Sequence, residues 1–323
     1  AQKRPAEPRR PRLEAGADTN DVRAYLDHGA QLLARAPDEA AAAFYWAARL
    51  DPGNPDALYG QRAAFMLSRP RDLVAYMDGV GRIDESPAFR RVDSLYLRAM
   101  TTNPLFYRRF DGVVFRRYLE ESAIASLTRS RGAAEAEAAR SEIGFWVNVW
   151  VKDASASVKA WQAYANGDYE LAVRHYRDAL KQARKDARGG LHTELGRTFA
   201  LVGNADSAIA HFDVALAALR ARETGKTMRW YDSKALLEQS IAVMHETEGR
   251  DSLAREAYGR ALTEDLAYHP AHVRLGLLAL RHGDTTTAVS ELDLAAQLRP
   301  DDPIVRHTYG LALVRAERAS DAS

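Results

Sequence analysis

The chain has 323 residues, with 45 Lys and Arg against 44 Asp and Glu, a net charge of +1 and no cysteine. Without cysteine no disulfide framework, thiolate zinc site, iron–sulfur cluster or lipid-modified N-terminal cysteine is expected. The near-neutral balance argues against a nucleic-acid binder, which carries a basic bias. The longest uncharged runs, such as 40–48, reach nine residues. A bilayer span needs about 20, so no transmembrane segment is expected.

Residues 1–19 read as an extended basic, proline-rich tail. Segment 1–12 (AQKRPAEPRRPR) carries a net charge of +4, with Arg4, Arg9, Arg10 and Arg12 among its cations and a proline at every third position from Pro5 to Pro11. That spacing forbids a helix and favours polyproline geometry. Such a segment orders only against a surface. An anionic membrane is one candidate, each basic residue contributing about 1 kcal/mol there. The start at Ala1-Gln2 in place of Met is of the kind left by a signal peptidase. It is read as the start of an exported, extracytoplasmic (periplasmic) protein peripheral to a membrane. If the start is only a trimmed end, a cytoplasmic location is the alternative.

Residues 20–82 read as two helical pairs. The first has Gly29, Ala40, Phe44, Ala47 and Pro52 as its punctuation, and Asp51–Leu58 (DPGNPDAL) leads into a helix over 56–67. A short helix after Pro70 closes at Gly79-Val80-Gly81.

Residues 83–152 keep helical periodicity but lose the punctuation. This degenerate segment is rich in Arg and aromatics. Phe106, Tyr107, Arg108, Arg109, Phe115, Arg116 and Arg117 fall in one stretch, and Trp146 and Trp150 lie one helical turn apart. Arg, Trp and Tyr anchor protein interfaces. With Arg4, Arg9, Arg10 and Arg12 of the tail, these residues are the candidate partner-binding set. For any single aromatic, the competing reading is ordinary core.

From 153 to 316 one pattern recurs. Gly276, Gly283-Asp284, Ala288, Leu292, Ala295 and Pro300 are matched by Gly196, Gly203-Asn204, Ala208, Phe212 and Ala215. They are matched again by Ala160, Gly167-Asp168, Ala172, Tyr176 and Ala179, and by Ala242, Gly249-Arg250, Ala254, Tyr258 and Ala261. Tyr309-Gly310 opens a fifth copy that stops after one helix, ahead of a C-terminal tail at 317–323. The small residues let two antiparallel helices approach, the ring or Leu fills the gap, and the Gly of the central pair ends the first helix in a left-handed conformation. Gly276 to Gly310 is 34 residues. This period and these slots resemble the tetratricopeptide repeat (TPR) family. The resemblance implies an all-α helix–turn–helix solenoid, here with a degenerate Arg/aromatic-rich middle and an extended basic tail. Phe212 to Tyr258 is 46 residues, so the excess near 219–234 is expected as a longer second helix or a loop. Where some members carry a Lys/Asn clamp for a partner's C-terminal carboxylate, this chain has Thr193, Arg197, Val273 and Leu277. A chaperone-tail receptor is therefore disfavoured.

No catalytic constellation is legible. Thr224-Gly225-Lys226-Thr227 lacks the upstream glycine of a phosphate loop, since residue 220 is Arg. Gly79-x-Gly81 lacks the third glycine of a dinucleotide turn. His245-Glu246 lacks the second histidine of a zincin helix. His269 and His272 lie one turn apart and could take a metal with His282, but core packing or a surface role is favoured for both, and no metal site is expected. No cofactor is expected.

The leading expectation is a non-catalytic scaffold, because stacked helix pairs build extended concave surfaces that hold other proteins. It would be a supporting subunit of a larger, membrane-associated assembly such as a photosynthetic or respiratory complex, bound to other protein subunits. The alternatives are a soluble extracytoplasmic adaptor or assembly factor with transient partners, and an enzyme whose site lies in 83–152.

Overall fold

The computed structural model describes residues 7–77, 87–152, 155–222 and 234–316. Among them are seventeen helices and no strand. The chain divides into two compact units, residues 1–172 and 173–323.

The first unit begins with α1 (Val22–Leu32), α2 (Pro37–Leu50), α3 (Pro55–Leu67) and α4 (Pro70–Met77). Side-chain caps set two of these starts: Asp21 accepts from the Arg23 N–H at 2.9 Å and Asn54 from the Ala57 N–H at 3.0 Å. Each satisfies an orphan donor of the first turn. The degenerate segment forms α5 (Pro87–Thr102), α6 (Asp111–Arg131), α7 (Ala133–Ala138) and α8 (Arg140–Lys152), followed by α9 (Ala156–Ala165). Here contacts skip along the chain. α5 packs on α3, and α6 touches α3, α4, α8 and α9. The Gly79–Gly81 closure lies outside the described residues.

The unit boundary falls within α10 (Tyr169–Gln182). The second unit continues with α11 (Lys185–Val202), α12 (Ala205–Arg222), α13 (Lys234–Thr247) and α14 (Asp251–Glu264). It ends with α15 (His269–Arg281), α16 (Thr285–Leu298) and α17 (Pro303–Arg315). From α11 to α17 each helix packs on its neighbours in sequence. That is the order of a helix–turn–helix solenoid. α12 is 18 residues long where α14 and α16 are 14, which accounts for part of the expected excess. Residues 223–233 lie outside the described residues.

The punctuation acts as its chemistry requires. Gly167, Gly203, Gly249 and Gly283 all have positive φ, between 68° and 84°. After each, the next residue's N–H donates back five residues, as from Asn204 to the Phe199 carbonyl and from Asp284 to the Ala279 carbonyl, both 2.9 Å. These are Schellman closures of the first helix in each pair. Ala208, Phe212, Ala254, Tyr258, Ala288 and Leu292 are all 0 % exposed. A Cβ on Gly196 would stand 2.6 Å from the Phe212 ring, and one on Gly276 would stand 2.6 Å from Leu292 Cγ. In the first unit the Phe44 ring plays the same part against both Gly29 and Gly60.

This packing gives a prediction of opposite sign to helix propensity. Alanine favours a helix over glycine by about 1 kcal/mol. Gly196→Ala should nevertheless destabilise by about 1–3 kcal/mol, because the methyl group meets a ring with nowhere to go. Leu292→Ala should cost about 2–5 kcal/mol through the cavity it leaves. Urea melts of both variants test this. Parent-like midpoints would refute the assigned register.

Candidate functional site

The Arg/aromatic segment of the first unit is mostly interior. Between α5 and α6, residues 103–110 turn the chain inward. The Asn103 side chain accepts from the Leu105 N–H at 3.0 Å. Phe106, 6 % exposed, packs edge-on to Tyr59 at 5.1 Å between centroids, and Phe110 packs on Phe44 at 5.0 Å. Tyr107 sits between Tyr164 and Tyr169, and its hydroxyl donates to the Ala165 carbonyl. Burial, with help from Tyr169 and Tyr164, pushes its phenol up to about 12.

The two arginines beside it are committed to the fold. Arg108 is buried, its Nε 3.5 Å from Asp111, and its guanidinium faces Tyr164. Arg109 lies 3.9 Å from both Asp27 of α1 and Asp56 of α3, over the Phe110 ring. Burial raises the Asp56 carboxyl and Arg109 opposes the rise. The expectation of a partner-facing cluster therefore needs correction for Phe106 and Arg108, whose surfaces are used within the chain.

The remaining candidates divide. Phe115 is half-buried against Trp161, 4.6 Å between centroids. Arg116 and Arg117 stay on the outer face of α6, paired with Glu120 and Glu121 of the same helix. Trp146 is 56 % exposed, and its neighbour Phe145, which the sequence reading passed over, is 61 % exposed. Trp150 lies on α8, but its side chain is outside the described residues, as is the whole of Arg4.

In the tail, Arg9 and Arg12 are exposed. Arg10 is held by its own chain: Nε donates to the Tyr25 hydroxyl at 2.7 Å and Nη2 donates to the Thr19 carbonyl. The guanidinium also faces the Tyr25 and Trp46 rings. The tail is thus partly an internal strap.

In the second unit a different surface stands out. Leu277 on α15 and Leu311 on α17 occupy the same repeat position 34 residues apart, and both are exposed, at 36 % and 49 %. Val314, one turn beyond Leu311, is 57 % exposed. Exposed Arg281, Arg306 and Arg315 share these two helices. Of the positions compared with the clamp, Arg197 is buried and Leu277 is open. Leu311 was reachable from the sequence by adding one repeat period to Leu277.

The metal candidates separate. His272 Nδ1 lies 2.7 Å from Glu291, and His282 Nε2 lies 2.7 Å from Asp251. Among the described residues no three His, Asp or Glu side chains are placed to hold a metal ion. Glu246 accepts from the Tyr258 hydroxyl at 2.6 Å and from Arg281 at 2.9 Å, so it ties helices together. The Gly225-Lys226-Thr227 segment lies outside the described residues.

No protein-family model matches the chain. Over 65 residues, 20 % of its length, it is 48 % identical to a Pseudomonas aeruginosa protein described as TPR repeat-containing. That match spans 26 % of the relative, so the chain covers about a quarter of its length. Among solved structures it is similar to MamA, with a TM-score of 0.41 and 19 % identity over 50 % of this chain and 87 % of that one. It is also similar to PilF of Pseudomonas aeruginosa, with a TM-score of 0.35 and 16 % identity over 92 % and 97 % of the two chains. PilW, a type IV pilus biogenesis factor, gives a TM-score of 0.39 and 17 % identity over 63 % and 88 %.

Two predictions follow the geometry. Arg108→Gln breaks a buried pair and should cost about 3–5 kcal/mol, whereas Arg116→Gln on the outer face of α6 should stay within about 0.5 kcal/mol of the parent. Denaturant midpoints separate the two, and equal effects would contradict the inward placement of Arg108. The second concerns pH. Burial, with Arg299, lowers His269 from 6.5 to about 4. An unfolded chain takes up this proton near pH 6.5 and the folded chain does not. Its contribution is therefore full above 6.5 and is lost as pH falls towards 4, on the order of 3 kcal/mol by linkage. Glu291 raises His272, whose contribution is full below 6.5 and fades as pH rises through its folded value. His269→Asn should therefore lose less stability than the parent between pH 6.5 and 5, and an unchanged slope would contradict the assignment.

Proposed function

We propose that this chain, whose helix pairs follow the tetratricopeptide-repeat pattern, is a non-catalytic scaffold that holds partner proteins. The observation that carries this reading is the exposed apolar set Leu277 and Leu311, at repeat-equivalent positions, with Val314 one turn beyond Leu311, on helices that also carry exposed Arg281, Arg306 and Arg315. Apolar side chains at the centre of a surface and arginines at its rim are the make-up of a protein interface. They suit a partner segment with apolar residues between carboxylates.

A second attachment is favoured by Phe145 and Trp146, the most exposed aromatic pair among the described residues of the first unit, on the unit that also carries Arg116 and Arg117. In its finer form the reading makes the protein a fixed subunit of a larger assembly at the extracytoplasmic side of a membrane. Support comes from the +4 tail, whose Arg9 and Arg12 remain outward and available to anionic lipid. No helix among the described residues is long and apolar enough to cross a membrane, so any attachment by those helices is peripheral.

The test is purification of the native chain from a mild detergent extract, with the co-purifying proteins counted. A stoichiometric partner that survives high salt fits the fixed-subunit form, and a free monomer contradicts it. Leu277→Asp with Leu311→Asp should reduce partner recovery at least tenfold with helix content unchanged by circular dichroism. Full recovery with this pair, and loss only with Trp146→Ala and Arg116→Gln, would move the interface to the first unit.

A further inference from the structure

The strap at residues 7–13 is held by contacts that read both its main chain and one side chain. Glu7 lies 3.7 Å from Arg49. The Trp46 indole N–H donates to the Pro8 carbonyl at 3.0 Å. Two residues on, Arg10 enters a box made by Tyr25 of α1, Trp46 of α2 and the Thr19 carbonyl. Tyr25 is 0 % exposed, yet its hydroxyl is aimed at the Arg10 Nε. The turn that presents Thr19 is fixed independently of the strap, by bonds from Ala17 to Glu14 and from Asp21 to Asp18, both 3.1 Å.

These are features of a receptor. A planar cation meets two rings and two oxygen acceptors that match its fork, which an ammonium cannot do. Pro8 and Pro11 hold the strap extended, so little conformational freedom is lost on docking. Arg10 itself remains exposed to solvent, and residues 7–13 form no helix, so the strap can leave without unfolding α1 or α2.

We propose that the α1–α2 aromatic box is a binding site for an extended, proline-flanked arginine peptide, and that its resident ligand is the chain's own residues 7–13. The site is self-occupied, and a peptide of the same chemistry exchanges with the strap. The proposal is independent of the scaffold reading, since it concerns neither the apolar row of the second unit nor the exposed face of the insert.

The probe is a fluorescent peptide of residues 7–13, EPRRPRL. The receptor is the full chain carrying Arg10→Ala, which keeps the tail but empties the box. A tethered strap competes at an effective concentration in the millimolar range. The peptide should therefore bind the variant at least tenfold more tightly than the parent. Replacing its own Arg10 by Lys should weaken binding at least tenfold, and adding Trp46→Leu to the receptor should do the same. In the chain otherwise unaltered, a probe on Arg9→Cys, an exposed strap position in a chain without cysteine, should tumble faster when saturating unlabelled peptide is added, with helix content unchanged. Four outcomes would overturn the proposal: equal binding to parent and variant, no binding to a folded variant, indifference to Arg against Lys, or probe motion that excess peptide does not change. Arg10→Lys provides a second receptor if Arg10→Ala does not fold.

Discussion

Two antiparallel helices share one tight groove here where one of them presents glycine or alanine opposite the other's bulky side chain, and the tightest of these contacts need glycine. That constraint recurs in both units: Phe44 against Gly29 and Gly60, Phe212 against Gly196, and Leu292 against Gly276. Each contact joins a first helix to the second helix beside it, and Phe44 also receives the first helix that follows. The rest of the repeat serves this approach. The left-handed glycine at the tip reverses the chain, and the small Ala three or four residues from the ring keeps the second helix close. Propensity works against glycine inside a helix by about 1 kcal/mol. Close packing overrides it here because interiors tolerate little mismatch in volume.

What was legible follows from how far apart the partners are in sequence. Gly196 and Phe212, or Gly276 and Leu292, sit sixteen residues apart within one repeat, so a periodic pattern reveals them. The insert is built from distant pairs. The Tyr59 hydroxyl meets Asp111, 52 residues away, and Tyr107 reaches Ala165 across 58. No local period records such contacts. Composition announced that 106–117 holds Arg and aromatics, but not which side faces inward. Arg108 and Arg116 look alike in sequence; one is stacked in the interior and the other lies on an outer helix face. Tail residue Arg10 is exposed yet bonded within the chain, which no local pattern records: its partners Tyr25 and Trp46 are ordinary repeat residues until the strap lies across them.

Charge on this chain is largely spent on internal order. Glu238, 1 % exposed on its side chain, is held by Arg220 and Arg260, and Arg220 also grips Glu264. Glu246 and Asp251 engage Arg281 in the same manner. These links join adjacent and next-but-one helices of the second unit, and Leu277, Leu311 and Val314 stay exposed beside them. An apolar row that the fold does not need is where the proposed scaffold would meet its partner.

The most direct measurement of the central constraint is the proton spectrum of the glycines under the rings. With Gly and Phe selectively labelled, Gly29 and Gly60 should show cross-relaxation from the Phe44 ring to their Hα protons, and Gly196 from the Phe212 ring. The Hα resonances should be moved upfield by the ring currents. Glycine Hα shifts near ordinary helical values, with no cross-relaxation to either ring, would contradict the account.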